Sequence, residues 1–410
     1  MSEEPIDILC MACADTRCDF KPVKLQRRAL GDMDILFDVK YCGVCHSDLH
    51  SANGHLDSLV GKGNFPFVPG HELAGVVTKV GSKVRKFQIG DHIGVGCMVD
   101  SCLNCSQCNK GEEQNCKKKS TATYQSPDVH GRAAVWPPLQ PNGKKGYTLG
   151  GYSNKMVVTE QFAIQIPKTY PLAMAGPVMC AGITLYTPLK LNGIKSGSMV
   201  GIVGLGGLGQ MGVRIAKAMG ASVTVISRSP KKETFARDCG ADTFIVSESD
   251  AQMKTGAGKL DLLINTIPSY HDYMAYQPLL TSKGIQVILG LHAGLIASKA
   301  VDKIVGGRSR VKMSAIGGIR NTQEVMDLCD KDKIYPEISI KSVTELNDVF
   351  TTLDKANESG VRHVLDIANT LIEGVKCDAP PPELGPIQSN ITRFGVVKEL
   401  LYLLLSCKWR

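Results

Sequence analysis

Residues Met199–Val203 make a five-residue apolar run that leads straight into Gly204-Leu205-Gly206-Gly207-Leu208-Gly209, and Gly207–Met219 then reads as a helix. A short run of this kind is a strand buried on both faces, and a glycine turn that opens directly into a helix leaves few topologies available. The same alternation continues through Ser222–Ile226, Leu260–Ile264 and Ile285–Leu289. Strands that alternate with helices lie parallel, because each crossover needs the length of a helix. The G-x-G-x-x-G spacing lets the backbone turn tightly and approach a ligand closely, so a pyrophosphate can sit at the helix N-terminus.

The segment after the second strand decides which dinucleotide fits. An acidic residue there would bind a ribose 2′-hydroxyl and repel a 2′-phosphate. This chain carries Ser227-Arg228-Ser229-Pro230-Lys231-Lys232 instead. Hydroxyls and cations, with a planar guanidinium among them, suit a dianionic phosphate. Ser227, Arg228, Ser229 and Lys232 are therefore the candidate 2′-phosphate contacts, and NADP is preferred to NAD.

At 410 residues the chain is too long for one ordinary core, so two domains are expected. Up to about residue 165 it reads as short β segments broken by glycine, including Ile35–Tyr41, Ala74–Val80 and His92–Val95. After about residue 317, a helix at Thr322–Asp330 and two short β segments are expected to return to this first unit. The predicted fold is α/β. It places a mostly-β catalytic domain at 1–180, a doubly wound parallel-sheet domain at 181–317, a return segment at 318–371 and a tail at 372–410. In the tail, Pro380-Pro381-Pro382 reads as an extended linker, and Leu400–Leu405 is an apolar patch too short to span a bilayer.

Fifteen cysteines without a secretory leader point to a reducing compartment, where thiols serve metals rather than disulfides. Cytoplasm is the expected location, with no membrane span. The net charge of +8 is modest and its cations are dispersed, which does not suit a nucleic-acid reader. Four thiols, Cys102, Cys105, Cys108 and Cys116, fall in C-x2-C-x2-C-x7-C. Four thiolates on one short loop close a tetrahedral zinc shell and leave no position for substrate, so this site is structural.

A second constellation is spread along the chain. It comprises Cys42-Gly43-Val44-Cys45-His46-Ser47-Asp48-Leu49-His50, the run Gly70-His71-Glu72 that continues as G-H-E-x2-G-x5-G-x2-V to Val84, and Cys180-Ala181-Gly182-Ile183-Thr184. Two thiolates and one imidazole make a zinc site with a fourth position open. On these motifs the chain, from about residue 10 to 371, resembles the zinc-dependent medium-chain alcohol dehydrogenases. Within them it is most similar to the NADP-dependent cinnamyl alcohol dehydrogenase branch.

The resemblance implies a GroES-like catalytic domain joined to a Rossmann domain. It assigns catalytic zinc to Cys45, His71 and Cys180, with Glu72 beside the metal and Asp48 orienting the histidine. A second zinc would sit on the four-cysteine loop. It also implies a proton relay from Ser47 through the cofactor ribose to His50, with His46 near the pyrophosphate. Thr184, Asn265 and Thr266 would lie near the nicotinamide half. Cys42 is expected to be a buried thiol and not a ligand. The implied activity is zinc-dependent hydride transfer between NADP(H) and aromatic or medium-chain primary alcohols and aldehydes, in a homodimer. Two alternatives stay open: reduction of a conjugated C=C or an iminium on the same fold, and a non-enzymatic zinc-binding scaffold or nucleic-acid protein.

The chain departs from the family pattern in places. The stretch Tyr124–Gly150 is long, with Trp136 and three prolines inside Arg132–Lys145. Thr121 or Ala122 stands where plant members carry an aromatic residue, and Ala315 replaces a bulky one. These changes argue against strict cinnamyl specificity.

Overall fold

The computed structural model describes residues 4–55, 63–132, 135–136, 146–268, 271–289, 310–355, 360–377 and 379–384. Most of the expected 132–145 loop and the Leu400–Leu405 patch lie outside the described residues.

Every alternating strand anticipated from the sequence falls in one six-stranded sheet. Its order is Thr243–Val246, Ser222–Ser227, Met199–Val203, Leu260–Asn265, Leu280–Ile288, Val311–Met313, and all neighbours are parallel. The helix Gly207–Ala218 crosses from the first strand in sequence to its neighbour. From Met199–Val203 the chain moves outward through two strands, then crosses back to Leu260–Asn265 on the other side. That reversal leaves a crevice at the carboxyl ends of the strands, where Gly204 follows one strand and Thr266 the other.

The second large sheet is antiparallel for the most part. Asp34–Gly43 is its hub, pairing with Leu73–Val80, Lys155–Thr159 and Arg362–Asp366. Ile338–Lys341 adds to the outer side of Arg362–Asp366 in parallel. The expected return is thus a strand addition, since residues near the chain's end complete a sheet begun near its start.

Each sheet has its own apolar core. One gathers Phe20, Phe37, Phe67, Tyr152, Phe162 and Phe350 on the catalytic side. The other gathers Ile202, Val225, Ile264 and their neighbours under the parallel sheet. The 180/181 and 317/318 borders do not separate these cores cleanly. Ile164, Ile166, Tyr170, Ala175 and Met179 pack into the second core, as do Val325, Met326 and Cys329 of the helix Ile319–Lys331.

One helix, Leu172–Leu191, is long and apolar enough to cross a membrane by length and composition, which the sequence reading did not anticipate. It is 78% buried, so it is a core helix here. The described part of the tail also folds back. Cys377 is buried in the catalytic core, Lys21 Nζ donates to its carbonyl at 3.0 Å, and Asn347 Nδ2 donates to Pro380 O at 3.1 Å. The three-proline stretch is therefore docked on the helix Leu346–Lys355 and is not a loose linker.

Candidate active site and its two metal-ligand clusters

Cys45, His71, Glu72 and Cys180 come from three separate segments, yet their ligand atoms all lie within 4.8 Å of one another, and all four residues are buried. Cys45 caps the helix His46–Ala52. His71 sits just before the strand Leu73–Val80. Cys180 lies within Val178–Gly182, a π-helical widening inside the Leu172–Leu191 helix that directly follows Pro177. A widened turn of this kind redirects a side chain out of the regular helical register, and such turns recur at functional sites.

The Cys45 and Cys180 sulfurs are 4.0 Å apart and His71 Nε2 is 3.1 Å from the Cys180 sulfur. Zinc–sulfur bonds of about 2.3 Å in a tetrahedron put two sulfurs about 3.8 Å apart, so the donor set fits zinc in both type and spacing. The electrostatics point the same way. The hydrogen bond from Cys180 holds the Cys45 thiol well below its usual range, and the ionised neighbour in turn holds Cys180 well above it. One thiolate and one thiol share this buried basin, and ionising the second sulfur as well would call for a cation between them.

Asp48 organises the imidazole. Its Oδ1 lies 3.0 Å from His71 Nδ1 and accepts the Gly70 N–H at 3.1 Å. Its Oδ2 accepts the Cys45 N–H at 2.9 Å and the Tyr152 hydroxyl at 3.1 Å. With Nδ1–H given to the carboxylate, Nε2 keeps its lone pair for a metal. Asp48→Asn should therefore weaken zinc retention at this site about 10- to 100-fold while leaving the four-cysteine site loaded. Metal analysis after graded chelation would check it.

Glu72 does not stand free beside the basin. It is fully buried and forms a two-pronged ion pair with Arg362, whose Nε donates to Oε2 at 3.1 Å and whose Nη2 donates to Oε1. Burial pushes the Glu72 carboxyl up and Arg362 opposes that push. Arg362 was not singled out in the sequence, because nothing in the strand Arg362–Asp366 marks it as the partner of Glu72. Arg362 also reaches the glycine turn, because a Cβ added at Gly207 would lie 3.3 Å from its side chain.

The glycine turn is built as a cradle. Gly204 has φ +88, and a Cβ at Gly209 would come within 2.1 Å of Gly204 O, so side chains at both positions are excluded. A Cβ at Gly206 would meet nothing within 4 Å, which leaves open space at the start of an uncapped helix. Leu208 lies in the first turn of that helix and packs against the second core. This geometry fits a pyrophosphate.

The other expected cofactor residues divide into two groups. Ser227 ends its strand, Arg228 is exposed beside it, Ser229 precedes a short turn, and Lys232 Nζ donates to Leu205 O at 3.0 Å. These four follow one another at the carboxyl end of the strand Ser222–Ser227, and Lys232 ties that segment to the glycine turn. Thr266, by contrast, donates its hydroxyl to Val203 O at 2.9 Å and so braces the turn, and Asn265 Nδ2 is 2.9 Å from His271 Nε2. Thr184 is buried on the Ile183–Leu191 part of the long helix, a turn beyond Cys180.

Ser47 and His50 share the helix His46–Ala52 with the Cys45 cap. His46 donates Nε2–H to Leu353 O at 3.0 Å, which ties the helix to Leu346–Lys355. His50 is 5% exposed, and its Nε2 is buried with no partner among the described residues, an orphan that a bound cofactor hydroxyl would satisfy. Cys42 is wholly buried, outside the cluster, with its thiol held up by burial. Two further groups went unread in the sequence. The Cys97 thiol lies 4.0 Å from Met179 O, next to Cys180, and the Tyr124 ring stands 5.6 Å from the His71 ring. Neither sits in a recognisable spacing.

Cys102, Cys105, Cys108 and Cys116 close a second cluster within the same 4.8 Å limit. Their sulfurs lie 3.8 Å apart for Cys102 and Cys108, and 3.6 Å for Cys105 and Cys108. Backbone N–H groups of Cys108 and Lys117 pull the Cys105 thiol down to about 6, which prepares it as a thiolate ligand. The loop docks through Glu113, which accepts the Ile319 N–H at 3.0 Å.

The comparisons agree with this geometry. Residues 31–168 match the family described as Alcohol dehydrogenase GroES-like domain, and residues 207–331 match Zinc-binding dehydrogenase. The 8-hydroxygeraniol dehydrogenase of Catharanthus roseus is 40% identical over 371 residues, 90% of this chain and 97% of the relative. Cinnamyl alcohol dehydrogenase 8 of Arabidopsis thaliana is 41% identical over 363 residues, covering 88% and 95%. A cinnamyl alcohol dehydrogenase structure from Sorghum bicolor superposes with a TM-score of 0.77 at 34% identity, covering 92% of this chain and all of that one. One from Helicobacter pylori, complexed with NADP(H), gives 0.75 at 35% identity, covering 89% and 99%. With a GroES-like half, a parallel nucleotide-binding half and an open Cys2His cluster between them, the chain belongs to the zinc-dependent alcohol dehydrogenase family. It is a dehydrogenase, and the non-enzymatic scaffold reading is set aside.

Proposed function

We propose that the chain is an NADP-dependent zinc alcohol dehydrogenase that works as a reductase of aromatic and medium-chain primary aldehydes. The observation that carries this reading is the convergence of Cys45, His71 and Cys180 beside a carboxylate whose arginine partner touches the glycine turn. When bound, zinc supplies a Lewis acid and the nicotinamide supplies a hydride.

The chain's own groups do the remaining work. Cys45, Cys180 and His71 Nε2 hold the metal, and Asp48 fixes the imidazole tautomer that makes this possible. Arg362 pairs with Glu72 in a buried place and also lies against the glycine turn at Gly207. The Ser47 hydroxyl, two positions after Cys45, passes a proton to the substrate oxygen. His50 holds the next proton at Nε2, where the ribose hydroxyl of a bound cofactor would meet it. Gly204, Gly206, Gly207, Leu208 and Gly209 receive the pyrophosphate with His46 nearby. Ser227, Arg228, Ser229 and Lys232 take the 2′-phosphate, and Thr184, Asn265 and Thr266 border the nicotinamide half. The four-cysteine loop holds a second, structural zinc. The proposed setting is a cytoplasmic homodimer.

A purified, zinc-loaded sample should oxidise NADPH with cinnamaldehyde, benzaldehyde and octanal, and yield the allylic alcohol from the enal. Inactivity across such a panel would refute the assignment. A saturated aldehyde as the product would move it to C=C reduction.

A further inference from the structure

The helix that carries Ser47 and His50 ends in a small polar chain. His50 Nδ1 and His55 Nδ1 lie 3.0 Å apart, with the two rings centred 5.2 Å from each other. His55 Nε2 lies 3.1 Å from Asn53 Nδ2, and the His55 backbone N–H donates to Asn53 Oδ1 at 3.1 Å. All three residues are buried, with His50 5%, Asn53 6% and His55 4% exposed.

These contacts fix where each hydrogen sits. A backbone N–H can only donate, so Asn53 must turn Oδ1 toward it, and Nδ2 then faces the His55 ring. The Asn53 amide therefore donates to His55 Nε2, which leaves Nδ1 as the protonated nitrogen of neutral His55. That Nδ1–H donates to His50 Nδ1. His50 must in turn carry its hydrogen on Nε2, the buried atom with no partner among the described residues.

We infer that His55, oriented by Asn53, is a positioning residue that locks His50 in the Nε2–H tautomer, so that the hydrogen of the relay histidine always faces the cofactor side. The inference rests on the relay proposed above. It gives the relay a direction. Neutral His50 presents its hydrogen at Nε2, and it can give that hydrogen up in aldehyde reduction only as its Nδ1 takes the His55 Nδ1 hydrogen and His55 Nε2 takes one from water, so that both rings stay neutral; it must lose the lock before it can accept at Nε2.

The surroundings support a neutral chain. Burial, with His46 and His55 nearby, lowers His50 to about 3, and the Cys45 sulfur opposes this weakly. Burial also lowers His55, against the charge of Asp354 on the helix Leu346–Lys355. A His55 cation would turn Nε2–H against the Asn53 amide hydrogens, which disfavours that form further.

The test uses the full-length zinc-loaded protein labelled with 15N at histidine. His50 signals are identified by their loss in His50→Gln. Wild type should show a bare Nδ1 and a protonated Nε2 on His50 at neutral pH. His55→Phe should give a mixture of tautomers and lower kcat for aldehyde reduction about tenfold, with little change in the KM for NADPH. His55→Gln, whose amide can donate to Nδ1, should restore both.

His55→Asp should act in the opposite sense. A carboxylate only accepts, so His50 should switch to Nδ1–H. The nearby negative charge should also raise the pH at which His50 becomes an imidazolium by about one unit. A merely structural role would make the Phe and Asp variants alike. Active wild type with the same His50 tautomer in all variants would overturn the lock alone. Intact tautomers in a protein that reduces no aldehyde would overturn the relay assignment, and with it the purpose of the lock.

Discussion

Cys45→Ser should lower aldehyde reduction by about a thousandfold or more and cut bound zinc from two per chain to one. A hydroxyl is a poor ligand for zinc beside a thiolate and an imidazole, and polarising a carbonyl at this site contributes several kcal/mol. About 4 kcal/mol corresponds to roughly a thousandfold in rate. The substitution changes one atom in a buried place, 4.0 Å from the Cys180 sulfur, so the fold should persist. Parallel elemental analysis and NADPH oxidation would check both halves. Full activity with a single zinc would show that the cluster of Cys45, His71, Glu72 and Cys180 is not where the chemistry happens.

The double substitution Ser227→Asp and Arg228→Ala should lower the preference for NADPH over NADH by about a hundredfold. Charged hydrogen bonds to a phosphate contribute about 1.5–3 kcal/mol, and a carboxylate at the strand end adds repulsion of the 2′-phosphate. Ser227 is the last residue of its strand and is 9% exposed, while Arg228 follows it in solvent. The variant should therefore alter the ribose end of the crevice without touching either metal cluster. Comparing kcat/KM for the two coenzymes measures the effect, and an unchanged ratio would remove the 2′-phosphate role from this segment.

Much of the site could be read in the sequence because its ligands sit in fixed local spacings. The four-cysteine loop and the glycine turn each lie on one short segment, and backbone geometry alone brings their groups together. The two thiols and one imidazole of the other cluster are far apart in sequence, and only the family resemblance joined them. Arg362 escaped notice because its partner, Glu72, is reached through tertiary pairing of strands and no spacing records that. His55 escaped for a related reason, since its role rests on hydrogen positions set by the Asn53 amide. Thr266 was read as a cofactor neighbour, and the structure adds a bracing contact that no spacing records, its hydroxyl lying against Val203 O and Gly204 O. The helix Leu172–Leu191 was missed altogether. Prolines at 177 and 188 read as breaks, and burial on most sides removed the polar face that would have given it a period.

The strand Arg362–Asp366 inserts between Ile338–Lys341 and the hub strand Asp34–Gly43, pairing Val364 with Gly43. During synthesis, then, the catalytic half waits with an unfilled slot until residues 362–366 have been made. The nucleotide half, whose strands are nearer neighbours in sequence, can assemble in the meantime. Contacts this remote in sequence close slowly. A chain cut short before residue 362 would lack both the strand that joins Ile338–Lys341 to the hub and the cation that balances Glu72, so making that strand is a condition for any activity at all.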